Sequence, residues 1–138
     1  MPKAIDVAYV IYQVDDLDRM QQFLQDFGLA TAQRTDTQLC MRGAGPAPVI
    51  HVTRKGSANR FIGGALQMAS RADLDALARL PGSSAVEPIT DLPGGGWRVR
   101  MTTPDGIPVD AVWGQAPAAA LDLRDPNPFN AGTVKRRI

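Results

Sequence analysis

The order of apolar runs, helix caps and turns is repeated once along the chain, and this duplication restricts the fold more than any other feature. Val7 to Val14 (VAYVIYQV) is a β-rich run with apolar residues on both faces. Asp15 is placed to cap a helix in which Leu17, Met20, Phe23, Leu24 and Phe27 recur at helical spacing as its core face, and Gly28 ends it. Three short strands are expected next, at 29–34, 38–42 and 48–54, joined by turns at Thr35-Asp36-Thr37 and Gly43-Ala44-Gly45-Pro46. The second half has the same plan. Phe61 to Ala69 reads as a strand, and Ser70, with Asp73 three residues on, opens a helix carrying Leu74, Leu77 and Leu80 before Pro81-Gly82. Strands are expected at 85–89, 97–103 and 107–113, with turns at Gly94-Gly95-Gly96 and Pro104-Asp105-Gly106. Equivalent points recur at an offset of about 55 residues, Asp15 with Ser70 and Gly28 with Gly82.

One helix per four strands is too few for a doubly wound parallel sheet, where nearly every strand needs a crossover. The fold class is therefore α+β. Two tandem βαβββ modules, at about 5–56 and 60–114, form a single domain over 1–115 whose mostly antiparallel sheet carries its helices on one face. Residues 116–138 hold three prolines and no long period, as a linker or tail does.

Composition removes several functions. Fifteen basic against fourteen acidic residues leave a net charge of +1, without the basic surplus that neutralising phosphates requires, so no nucleic-acid partner is expected. Lys135-Arg136-Arg137, the one basic cluster, reads as a solvated end. Cys40 is the sole cysteine, which excludes an internal disulfide and a cysteine-based zinc site; its alternating neighbours make it a small buried hydrophobe. No run approaches the roughly 18 apolar residues of a membrane span, and no signal-peptide pattern opens the chain. The cytoplasm is the expected location.

Several local patterns carry a family likeness. They are the strand running into Val14-Asp15-Asp16-Leu17, the helix exit Phe27-Gly28-Leu29, and the hairpin Pro104-Asp105-Gly106 with Asp110 four residues after its glycine. In this order, on a duplicated frame, they resemble the vicinal-oxygen-chelate superfamily of glyoxalases, extradiol dioxygenases and fosfomycin- and bleomycin-resistance proteins. Pro48 to Arg54, Phe61 to Ser70 and Asp73-Leu74-Asp75-Ala76-Leu77 are most similar to the amino-terminal domain of the extradiol ring-cleaving dioxygenases. The resemblance implies a curved sheet forming a cup with its helices outside. It also implies an oxidoreductase context in which a second two-module domain carries Fe(II) or another divalent metal.

In the superfamily the metal sits in the cup, held by the first and last strands of each module. The resemblance places Tyr9, Ile50 or His51, Gly63 and Asp110 at those four positions. Gly63 has no side chain to offer, and Tyr9 ligates poorly unless ionised. With His51 the sole histidine, a two-histidine, one-carboxylate triad cannot be assembled from one chain. No metal is therefore expected here, and Asp110 is the one plausible ligand position. His51 is either a strand histidine without a role or a general acid/base beside a bound catechol, depending on a one-residue register.

Three readings follow. The first is a metal-free amino-terminal domain of an extradiol dioxygenase. The second is a non-enzymatic, resistance-type homodimer that sequesters a small aromatic or other small molecule, with Tyr9, Trp97 and Trp113 as substrate-binding candidates. The third is a glyoxalase-like metalloenzyme that completes its site across a dimer from Asp110 and His51.

Overall fold

A computed structural model describes residues 1–122; Lys135-Arg136-Arg137 and most of the expected tail lie outside the described residues. The first module comprises β1 (Ala4–Val14), α1 (Leu17–Phe27), β2 (Ala30–Arg34), β3 (Gln38–Arg42) and β4 (His51–Lys55). The second comprises β5 (Arg60–Met68), α2 (Arg71–Ala78), β6 (Glu87–Pro88), β7 (Trp97–Thr102) and β8 (Pro108–Trp113). All eight strands form one open sheet in the order β2-β3-β4-β1-β5-β8-β7-β6. Reading outwards from the β1–β5 seam, both directions follow the same plan, so the duplication is a pseudo-twofold axis through that seam. Only β1–β4 and β5–β8 are parallel; the other five neighbouring pairs are antiparallel.

The helix ends follow local chemistry. Ser70 Oγ accepts from the Asp73 N–H while the Asp73 carboxylate accepts from the Ser70 N–H, a reciprocal cap that opens α2. In α1 the cap is Asp16 rather than the expected Asp15. Asp16 Oδ1 accepts from the Arg19 N–H at 3.0 Å, whereas the Asp15 N–H is committed to Asn59 Oδ1. Gly28, at φ 116°, takes the left-handed conformation that closes α1.

One expectation about the core fails. Phe23 and Phe27 are 62% and 78% exposed, their rings stacked at 6.4 Å. The buried stripe of α1 is Leu17 and Leu24 with half-buried Met20, which pack on Leu39 and Met41. A helix on a single sheet layer buries only a stripe, and this stripe excludes the two phenylalanines. In α2 Leu74 is fully buried, but Leu80 falls beyond the helix end and is exposed.

Strand alternation sorts the sheet into two faces. The outer face, under the helices, carries Leu39, Met41, Met68, Val99 and Ala111. The inner face carries Tyr9, Ile11, Cys40, Val52, Ala65 and Val112. Against it lie Ile89 and Leu92, from the segment that leaves the two-residue strand β6. Gln38 on β3 donates to the Asp91 carbonyl at 2.8 Å, so this segment reaches from one edge of the sheet to the opposite module. That contact requires a strongly curved sheet, and the hollow it encloses is the cup.

Candidate functional site

Strand register defines what the cup can hold. Tyr9 pairs with Ala65 across β1–β5, and Ala65 pairs with Asp110 across β5–β8, so these three lie in one row. The motif-based alignment put Gly63 in this row, but irregularities in the β1–β5 pairing set Gly63 opposite Ile11 and bring in Ala65. On the β4 side, Val49 and Val52 fill the inner core, while Ile50 is 37% exposed. His51 does not reach the cup. It pairs with Met41 on the helix-covered face, stacks on Tyr12 with centroids 5.3 Å apart, and its Nδ1 lies 3.2 Å from Thr53 Oγ1. Burial pulls its pKa down, favouring the neutral ring.

The inner row thus supplies one carboxylate, one phenol and a methyl group, with Ile89 and Leu92 packed against it. Among the described residues no group of three His, Cys, Asp or Glu side chains is placed to hold a metal ion. A divalent cation needs three or four convergent donors, so the donor set does not fit the metal that the fold implies. Gly63 marks the same departure in the backbone. Its φ is +153°, and a Cβ there would stand 2.5 Å from the Pro108 carbonyl oxygen.

Electrostatics instead favours a polar, cation-rich wall. Arg98, 6% exposed, donates from Nε to Glu87 at 2.9 Å and from Nη1 to Asp91 at 2.8 Å. Arg100 shares Glu87 at 2.9 Å, and Arg54 lies 3.9 Å from Asp91. The Arg98 hydrogen bond holds the Glu87 carboxyl below its ordinary range. Burial pushes Asp110 up against the opposing pull of Arg100, Arg98 and Arg54. None of these arginines was singled out from sequence; the alternation Arg98-Val99-Arg100 was the available signal, since it puts two cations on one strand face.

Tyr9 is 1% exposed and its hydroxyl has no hydrogen-bond partner among the described residues. Burial, then the negative charge of Asp110, raises its pKa, so it is a neutral phenol. An unsatisfied buried hydroxyl costs about 1–3 kcal/mol. Tyr9→Phe is therefore expected to raise stability by about 1 kcal/mol, read as a higher urea midpoint; a lower midpoint would mean the hydroxyl has a partner in solution.

Trp97 and Trp113 pair directly across β7–β8. They lie on the face covered by α2, where the Arg71 guanidinium sits 4.6 Å over the Trp97 ring and Trp113 borders the core around Leu74. Of the proposed ligand-binding aromatics, only Tyr9 lies on the inner face, and there it is buried in the core and does not line the open cavity.

No protein-family description matches the chain, and no curated protein matches its sequence. Solved structures do. The Mn(II)-bound glyoxalase from Novosphingobium aromaticivorans is 29% identical and superposes with a TM-score of 0.79, over 91% of this chain and 44% of that one. Homoprotocatechuate 2,3-dioxygenase from Brevibacterium fuscum, in complex with 3,4-dihydroxyphenylacetate, is 22% identical with a TM-score of 0.73, over 87% and 40% of the two chains. A room-temperature structure of the extradiol ring-cleaving dioxygenase from the same organism is also 22% identical, with a TM-score of 0.71, over 85% and 34%. The chain has the vicinal-oxygen-chelate fold and spans less than half the length of each of these structures.

Proposed function

We propose that this chain acts as a metal-free pair of modules in an extradiol-type ring-cleaving assembly, where a second, metal-bearing pair of modules does the chemistry. One observation carries the reading: the inner row of the cup offers a single carboxylate, Asp110, beside an aliphatic plug. The length relation agrees with it, since the matched dioxygenase and glyoxalase chains are more than twice as long as the part this chain covers. In such an assembly the chain's task is to bind and orient. Fe(II) or another divalent ion, and the small aromatic substrate that it chelates, would belong to the second pair.

The dimer-completed metalloenzyme is less well supported, because His51 stacks on Tyr12 on the face away from Asp110. The resistance-type reading keeps the support of a cleft in the cup, described below.

Metal analysis tests the proposal. Protein purified without added salts is expected to carry far less than one equivalent of any transition metal by emission spectroscopy. Calorimetric titration with Mn(II), and anaerobically with Fe(II), should show no stoichiometric binding. One firmly held ion per chain overturns the proposal.

A further inference from the structure

We propose that the open part of the cup is a binding site for a small organic oxyanion with an apolar body, gripped by the guanidinium groups of Arg54, Arg60 and Arg100. This goes beyond the preceding reading, because it assigns a ligand to the metal-free cup itself.

The space is there. Ile89 and Leu92 fill only part of the hollow, and beside them a cavity of about 580 Å³ remains. That is within the usual range for small-molecule sites, roughly 300–1,000 Å³. Ile11, Ile62 and Pro108 give it an apolar lining. A flat or aliphatic body would rest there without losing hydrogen bonds.

The charges select the ligand's sign. Three arginines line the cavity against one carboxylate, Asp110. Counting Arg98, Glu87 and Asp91 narrows this surplus to a single positive charge, and Arg100 keeps only its terminal N–H groups for a ligand, because its Nε is paired with Glu87. Glu87 serves Arg98 and Arg100, and Asp91 serves Arg98 and, at 3.9 Å, Arg54. At that distance Arg54 makes no hydrogen bond to Asp91, and among the described residues its side-chain N–H donors have no other acceptor. Arg60 is exposed at the start of β5 and has no ion pair among the described residues. The three cations come from β4, β5 and β7, strands that lie apart in the sheet. Their convergence on one hollow is a product of the curvature. Planar guanidinium forks match the paired oxygens of a carboxylate or phosphate, which is what separates this site from a general positive patch.

Asp110 makes the proposal sharp. A metal or cationic ligand would depend on this carboxylate. An oxyanion is repelled by it, so its neutralisation should help binding.

The experiment uses the full chain in metal-stripped buffer without chelator, at low ionic strength, with calorimetry and amide chemical-shift mapping. The probes are benzoate, phenyl phosphate, inorganic phosphate, benzyl alcohol and benzylammonium. Benzoate or phenyl phosphate is expected to bind with one site per chain and to shift amides around Arg60, Arg100 and Asp110, while benzyl alcohol and benzylammonium do not. The stronger of the two anions identifies the head group. Binding of inorganic phosphate as tightly as phenyl phosphate would overturn the apolar-body part of the proposal. Arg60→Gln, a surface change that leaves the core untouched, should weaken the anion at least about tenfold, the loss of one charge-assisted contact. Asp110→Asn should tighten it severalfold. Absence of binding by either organic anion, equal binding of the neutral probe, or weakening by Asp110→Asn overturns the inference. Any of these would leave the metal-free reading standing, since that depends on the metal titration alone.

Discussion

Gly63→Ala is expected to lower the unfolding temperature by roughly 10 °C. Two costs combine. The backbone at φ +153° lies where side chains are strained, and the new Cβ would sit 2.5 Å from the Pro108 carbonyl oxygen on the neighbouring strand. Strain of this kind costs about 1–3 kcal/mol, and a backbone atom cannot swing aside as a side chain can. A total near 3 kcal/mol corresponds to roughly 10 °C for a domain of this size. Gly82→Ala is the control: its φ is +83°, but nothing lies within 4 Å of the added atom. It should cost only about 1 kcal/mol. Equal shifts for the two variants, measured by calorimetry, would remove the close approach of β5 to β8 from the explanation. The same contact bears on function. A histidine at 63 would meet the same carbonyl, so a metal ligand cannot be installed there by one substitution.

Arg98→Ala is the second large effect. Arg98 is nearly buried, and its two charge-assisted bonds tie Glu87 and Asp91 to β7; these two flank Ile89, and Asp91 immediately precedes Leu92. Losing both bonds and the packed side chain should cost about 3 kcal/mol. Glu87 and Asp91 are part-exposed and can regain water, which keeps the cost from rising further. The distinctive readout is Cys40. Its thiol lies under this segment with no exposure, and burial pushes its pKa up to about 11. If Arg98 latches the plug, labelling of Cys40 by a disulfide reagent should accelerate roughly 100-fold in Arg98→Ala, the rate equivalent of about 3 kcal/mol in a local opening. Unchanged labelling with lowered global stability would show that Arg98 supports the fold without latching the segment.

Much of this architecture was legible in the chain. The strand–helix–strand order, the Ser70 and Asp73 cap, the glycine exit at Gly28 and the inert placement of Cys40 all follow from local rules, and β3 matches its expected limits of Gln38 and Arg42. The errors are one-step errors. The cap falls on Asp16, one residue later than Asp15, because it is Asp16 whose carboxylate reaches the Arg19 N–H. Phe23 and Phe27 fell just outside the buried stripe because the sheet covers one side of α1 only. Likewise, the pairing irregularities along β1–β5 exchanged Gly63 for Ala65 in the row with Asp110.

The sequence by itself determined the duplicated plan, the element types and the single histidine and cysteine, because periodicity, capping and residue inventory are local or countable properties. Tertiary structure alone decided that His51 faces away from the cup, that Ile89 and Leu92 partly fill it, and that Arg54, Arg60 and Arg100 converge on what remains. The physical reason is that side chains alternate with period two along a strand, so one bulge or slip inverts the face a residue serves. The plug and the arginine wall depend on sheet curvature, which is a property of how strands pair and not of any one of them.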